Sequence, residues 1–385
     1  MTDRQTDRQT RDSGIELLKI FAIFIIVIGH TVQSLTNEAY TNNSYVIDIS
    51  RATTNVKLIL LQIFRYFGSW GNSIFFICSA WFLLKSKNWN KKKWLFIVIE
   101  IWGVSIVIFI ITYIILHGNI SIEIIISSLF PTTFGNNWYM TCYLLFYPIH
   151  PILNRIINMM NQRQLFRSTF VMVFLYIFMN FINSGWFFSS AIIRWITIYF
   201  AIAYMQKYLM SFADNIRKNI ILFIIGAIGF IGIILISDIC GLYFQTFSDK
   251  VMRWLNDSNP FLLAMSISMF NIARNNHFKN RFINYISKLS LLIYIIHENI
   301  ILRTYFRPAM WNYVYKRFGF SDVIGWVLII AFIIFIFGIL CSILYVLTLQ
   351  KFVNKVSGKL YEVVRIKYLL FEKFCLMIGE KKDNR

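Results

Sequence analysis

The chain has 385 residues, of which 57% are hydrophobic and only 15% charged, with 38 phenylalanines. Such a balance excludes a soluble globular domain and places the chain in a lipid bilayer. The net charge of +20 would suit a nucleic-acid binder, but the basic clusters are separated by pairs of apolar runs, the pattern of cytoplasmic loops between membrane spans. Nucleic acid is therefore not expected as a partner.

The polar N-terminus, residues 1–13, carries Arg4, Arg8 and Arg11 and leads into an apolar run without a small-residue cleavage site, so that run is expected to remain as a span. A helix needs about 20 apolar residues to cross roughly 30 Å of hydrocarbon. Runs of that kind fall at 15–35, 69–84, 94–116, 138–157, 168–183, 189–206, 219–236, 260–273, 282–302 and 323–348. Because they are near-continuous rather than alternating, they predict helices and not a β-barrel. The expected fold class is all-α, a polytopic transmembrane helical bundle of about ten spans.

Charge sets the topology. Lys91, Lys92 and Lys93 follow the second run, Arg155, Arg163 and Arg167 the fourth, and Arg217 with Lys218 the sixth, while 117–137 and 183–190 hold no lysine or arginine. Both termini are predicted cytoplasmic. Segment 36–67 begins polar, and its later half reads as an amphipathic helix at the outer interface. The basic tail, 350–385, mixes lysines with Leu360, Val363 and Leu369, and is predicted to lie on the anionic inner leaflet. The cysteines at 78, 142, 240, 341 and 375 are scattered without metal or redox spacing and read as packing residues.

Titratable groups inside spans are costly and few, which makes each a candidate for function. On a helix advancing about 100° per residue, Lys19 and His30 fall within about 20° of one face and about 16 Å apart, with Glu16 within about 40° of His30. A cation at the cytoplasmic mouth and a base deeper in the membrane suit a donor that enters with anionic groups and presents a reactive carbon further in. The same stripe also admits a bland account, in which Lys19 snorkels to headgroups, Glu16 pairs with it and His30 bonds a neighbouring helix.

Four motifs then share an order. Gly14 through Glu16 and Lys19 to Gly29 and His30 resembles the opening motif of the acyltransferase 3 family of integral-membrane acyltransferases, an acidic residue before a basic one and ten residues on to histidine. Phe75-Phe76-Ile77-Cys78-Ser79-Ala80 is similar to the family's second-span motif. Asn137-Trp138-Tyr139 resembles its tryptophan motif, and Ser290 through Tyr294 to His297 its late tyrosine-to-histidine motif. The family usually has arginine where Lys19 stands, Ser-Gly where Ser79-Ala80 stands, and in some members paired arginines where Lys91 to Lys93 lie.

The resemblance implies a transmembrane acyltransferase domain over 14–349 that moves an acyl group, usually acetyl from acetyl-CoA, to a hydroxyl of a cell-surface polysaccharide or related glycan. Acetyl-CoA enters as co-substrate, and no bound cofactor or metal is expected. His30 would take the hydroxyl proton or hold an acetyl group transiently, since imidazole suits either role. Lys19, Glu16, Lys91, Lys92 and Lys93 form the expected donor site. Trp138, Arg194, His297 and Glu298 are acceptor or site-lining candidates, each with an alternative in interface anchoring or structural pairing. The other function classes are a glycan transporter, which also lines a pathway with buried charge, and a non-catalytic partner in polysaccharide synthesis. Acceptor identity, the acyl group and the oligomeric state lie beyond the sequence.

Overall fold

The structure is a computed structural model that describes residues 12–36, 46–133, 137–182, 190–248, 251–254 and 257–383, with side chains as far as 367. Among the described residues every regular element is helical. The helices are α1 (Ser13–Thr36), α2 (Val56–Arg65), α3 (Phe67–Leu83), α4 (Lys91–Ile115), α5 (Ile122–Leu129), α6 (Trp138–Met159), α7 (Gln162–Val173) and α8 (Ala191–Tyr208). There follow α9 (Ile216–Tyr243), α10 (Pro260–Asn275), α11 (Arg281–Lys288), α12 (Ser290–His297), α13 (Arg307–Phe318), α14 (Val323–Thr348) and α15 (Gln350–Asp383). A π-helical turn, Phe174–Met179, extends α7 to Ile182, and a second, Leu302–Phe306, runs into α13.

Asparagine opens many of these helices. Asn55, Asn90, Asn161, Asn215, Asn259 and Asn280 each accept a hydrogen bond from a backbone N–H of the first turn, and Asn161 completes a reciprocal capping box with Gln164. A short polar side chain satisfies the orphan donors of a helix start where the chain turns back into an apolar environment.

Among the described residues, five helices have the length and apolarity to cross a membrane: Ser13–Thr36, Lys91–Ile115, Gln162–Ile182, Ile216–Tyr243 and Val323–Thr348. Helices also stand at the other expected positions, but they are shorter or more polar. The clearest departure is at 282–302, which is not one continuous span. It breaks after α11 at Leu289, and again at Glu298 and Asn299, before helix resumes through the π-helical turn to Phe318. Asn299 supports the second break, its side-chain oxygen accepting from Ile301 N and its amide donating to Ser105 Oγ at 3.4 Å.

Pro148 and Pro151 lie inside continuous α6, and His150 between them is fully buried, its Nδ1 bonded to the carbonyl of Tyr147. Among the cysteines, Cys78 and Cys142 are buried packing residues as expected, whereas Cys240 and Cys341 are half-buried; the side chain of Cys375 lies outside the described residues.

The core is centred on α1. Gly29 of α1 lies against the backbone of Gly68 in α3, where a Cβ would collide with the Gly68 nitrogen, and Gly71 sits on the carbonyl of Ala22. Small residues at these crossings let two helix backbones approach closely, which is how helices associate when lipid supplies no hydrophobic drive between them. α1 is in turn held by α13, because the indole N–H of Trp311 donates to Thr31 O at 3.1 Å.

Candidate active site

His30 sits nearly two turns from the end of α1, 6% exposed, with its imidazole facing the break in the 290–318 segment. Its Nδ1 lies 3.1 Å from His297 Nε2 and 3.0 Å from Glu298 Oε1. The network fixes the tautomers. His297 Nδ1 donates to the carbonyl of Ile293 at 2.9 Å, which leaves its Nε2 as an acceptor. His30 therefore carries its proton on Nδ1, shared between an imidazole nitrogen and a carboxylate, and keeps a lone pair on Nε2. No described residue hydrogen-bonds that nitrogen. Its edge faces Gly68, where a Cβ would stand 3.8 Å away.

Two arginines complete the cluster. Arg307, 3% exposed, donates to Glu298 Oε1 at 2.9 Å, to the carbonyl of His30 at 3.2 Å and to the carbonyl of His297. Arg303 reaches Glu298 Oε2 at 3.6 Å. A carboxylate in such a dry setting requires partners, and here it has a guanidinium on each side and an imidazole N–H between them. His30, His297 and Glu298 bring their ligand atoms within 4.8 Å of one another, a spacing that a metal ion would also accept. The charges argue otherwise. With Glu298 already answered by Arg303 and Arg307, a divalent cation would add uncompensated charge where the dielectric is low.

Towards the other end of α1 lies a cavity of about 330 Å³, lined among others by Glu16, Lys19, Ile26, Asn72, Lys93 and Tyr139. Lys19 Nζ pairs with Glu16 Oε1 at 3.1 Å, and Ser287 donates to the other oxygen of Glu16. Lys19 and Lys93 are thus brought together, whereas Lys91 and Lys92 are exposed in the first turn of α4 and do not line this cavity. The cavity ends at Ile26 and Asn72, one helical turn short of His30 and of Gly68 respectively. Asn72 Oδ1 and Ser290 Oγ, both buried on residues lining it, have no hydrogen-bond partner among the described residues. Buried polar groups of this kind require an explanation, and a polar ligand in the cavity provides one.

On the opposite side of His30, Arg194 of α8 pairs with Asp257 at 2.9 Å, and the guanidinium lies 6.0 Å from the ring centroid of Trp138. Asp257 also accepts from Ser69, the neighbour of Gly68. Burial pushes the Asp257 carboxyl up, but Arg194, Ser69 and Arg65 outweigh it and hold it below the ordinary carboxylate range. Arg194 thus takes the structural partner that its residue type allows, and through Asp257 and Ser69 it is connected to the free edge of His30.

The sequence model of the acyltransferase 3 family, described as an acyltransferase domain, matches residues 12–347 and so spans the whole of this constellation. The chain belongs to the acyltransferase 3 family. It is an integral-membrane acyltransferase. No curated protein and no solved structure matches it.

Within this acyltransferase 3 protein, the expected residues fall into three groups: Glu16, Lys19 and Lys93 line the cavity, His30, His297 and Glu298 form the buried cluster, and Trp138 and Arg194 lie together beside Asp257. Sequence reading missed Arg303 and Arg307, because the ninth span was ended at Leu302. Their signal was present: two arginines four residues apart, close behind Glu298, belong on one face of a continuing helix. Asn72 and Asp257 were missed as well. An asparagine among glycines and a loop aspartate carry no local mark of what they will face.

Proposed function

We propose that this acyltransferase moves acetyl from acetyl-CoA to a hydroxyl of a cell-surface polysaccharide or related glycan, with His30 as general base. The reading includes about ten spans, both termini in the cytoplasm and one acyltransferase domain over 14–349 in the cell membrane. The observation that carries it is the state of His30: Nδ1–H is held by Glu298 and His297, and Nε2 is left with a lone pair beside a glycine.

In this reading the donor enters the cavity from the cytoplasm. Lys19 and Lys93 hold its phosphates, and Asn72 and Ser290 bond the amides of its arm. The acceptor arrives from the side of Trp138 and Arg194 and places a hydroxyl on His30 Nε2. The imidazole takes the hydroxyl proton as the oxygen attacks the thioester carbonyl. The new C–O bond forms, the C–S bond breaks, and the imidazolium returns the proton to the departing thiolate. Glu298 stabilises the imidazolium while Arg307 fixes Glu298, so the base and its carboxylate are preorganised.

The test is the acetyl content of the surface glycan in cells carrying either the normal chain or His30→Ala. The reading expects acetylation to disappear with the protein still in the membrane. Unchanged acetylation together with lost surface export would overturn it in favour of transport.

A further inference from the structure

A second cavity, about 600 Å³, opens between α4 and α14 on the far side of the segment that carries His297 and Glu298. It is lined by Ile296, Leu302, Phe306 and Met310 from that segment and by apolar residues of α4 and α14. Three lining residues carry hydroxyls, and none is open to the cavity: Thr112 Oγ1 donates to Ile108 O at 2.6 Å, Thr348 Oγ1 donates to Leu344 O at 2.7 Å, and Tyr345 keeps its hydroxyl buried beside Glu100. Hydrocarbon is the chemistry this wall accepts. Along α14 the lining runs from Ile333 to Leu349, about 24 Å of helix, most of one hydrocarbon thickness.

The cavity is tied to the reactive centre by the chain itself. Ile296 precedes His297, Leu302 precedes Arg303 and Phe306 precedes Arg307. One interrupted segment therefore turns a polar face to His30 and an apolar face to the cavity. The π-helical turn Leu302–Phe306, a local departure of the kind that gathers at functional sites, is where the two faces adjoin. Beside the cavity, Gly338 of α14 packs on Ile293 of α12 and Gly103 of α4 meets Val353 of α15, so both helices of the recess are seated on neighbours.

We infer that this recess holds the hydrocarbon anchor of a lipid-linked acceptor, so that the glycan is acylated while attached to a polyisoprenyl or similar chain in the bilayer. An anchor seated there would deliver its sugar to His30 across the thickness of a single chain segment. This inference rests on the acyl-transfer reading given above.

The test uses the full chain in lipid nanodiscs with labelled acetyl-CoA and two acceptors that share one oligosaccharide, one free and one on a polyisoprenyl diphosphate. The KM for the linked acceptor is expected to be at least about tenfold lower than for the free one, and Ile333→Trp, which fills the recess, is expected to abolish that preference. Ile224→Trp, on the exposed face of α9, is expected to keep it. In addition, a photoreactive polyisoprenyl diphosphate should label peptides within 104–115 or 333–349, a measurement that needs no variant. Equal KM for the two acceptors, a preference that survives Ile333→Trp, or labelling confined to other helices would overturn the inference and mark the recess as a site for structural lipid only. Absence of transfer to both acceptors, with labelling of the recess intact, would instead count against the acyl-transfer reading.

Discussion

His30 and Glu298 lie far apart in sequence, yet their side chains meet at 3.0 Å, and the carboxylate holds the imidazole proton on Nδ1. The pair turns a lone histidine in an apolar helix into an oriented base whose other nitrogen points towards Gly68.

Glu298→Gln preserves the size of the side chain but removes the charge that orients His30 and would stabilise its imidazolium. The turnover number is expected to fall by about a hundredfold or more, with little change in the KM for acetyl-CoA. Steady-state kinetics on the purified variant check this. A raised KM with unchanged turnover would move Glu298 out of the reaction and into donor binding.

Lys19 lines the cavity proposed for the donor, together with Glu16 and Lys93. Lys19→Ala is expected to raise the KM for acetyl-CoA about tenfold and to leave turnover at saturation nearly intact. Lys19→Arg should bind at least as well as the natural residue, since a guanidinium grips phosphate with two parallel hydrogen bonds. Equilibrium binding of CoA to the two variants separates these outcomes.

Gly29 admits the backbone of Gly68 at the level of His30. In Gly29→Val the two helices must part, which is expected to cost about 1–3 kcal/mol of stability and to displace the imidazole from Glu298. Thermal unfolding in detergent should show the lowered midpoint. Transfer should be lost even at temperatures where the variant remains folded.

Much of this site was legible from local pattern. The stripe of Glu16, Lys19 and His30 follows from helix periodicity within one run, and His297 and Glu298 are conspicuous because ionisable groups in apolar segments are rare. What periodicity cannot supply is partnership across the chain. The meeting of His30 with Glu298, and of Arg194 with Asp257, depends on how distant helices cross. The boundaries failed for a related reason. The run 282–302 is apolar enough to read as one span, but Asn299 takes the N–H of Ile301 on its side chain while Glu298 is drawn to His30 and the two arginines that follow, and the helix breaks there. Lys91 to Lys93 show the same limit, since a run of like charge does not say which member will line a cavity, and of the three Lys93 does.

The charge balance around Glu298 yields a prediction about metals. Extended dialysis against a chelator is expected to leave transfer unchanged, because Arg303 and Arg307 already supply the positive charge this carboxylate requires. Loss of transfer restored by a divalent ion would show that His30, His297 and Glu298 hold a metal instead.

The central claim is that His30 performs the proton transfer of an acyl transfer. Purified protein in nanodiscs, given labelled acetyl-CoA and a panel of glycans, measures this directly when the normal chain is set beside His30→Ala. The account predicts that the variant binds CoA normally and loses transfer by about a thousandfold or more. Transfer by His30→Ala at the rate of the normal chain would contradict it.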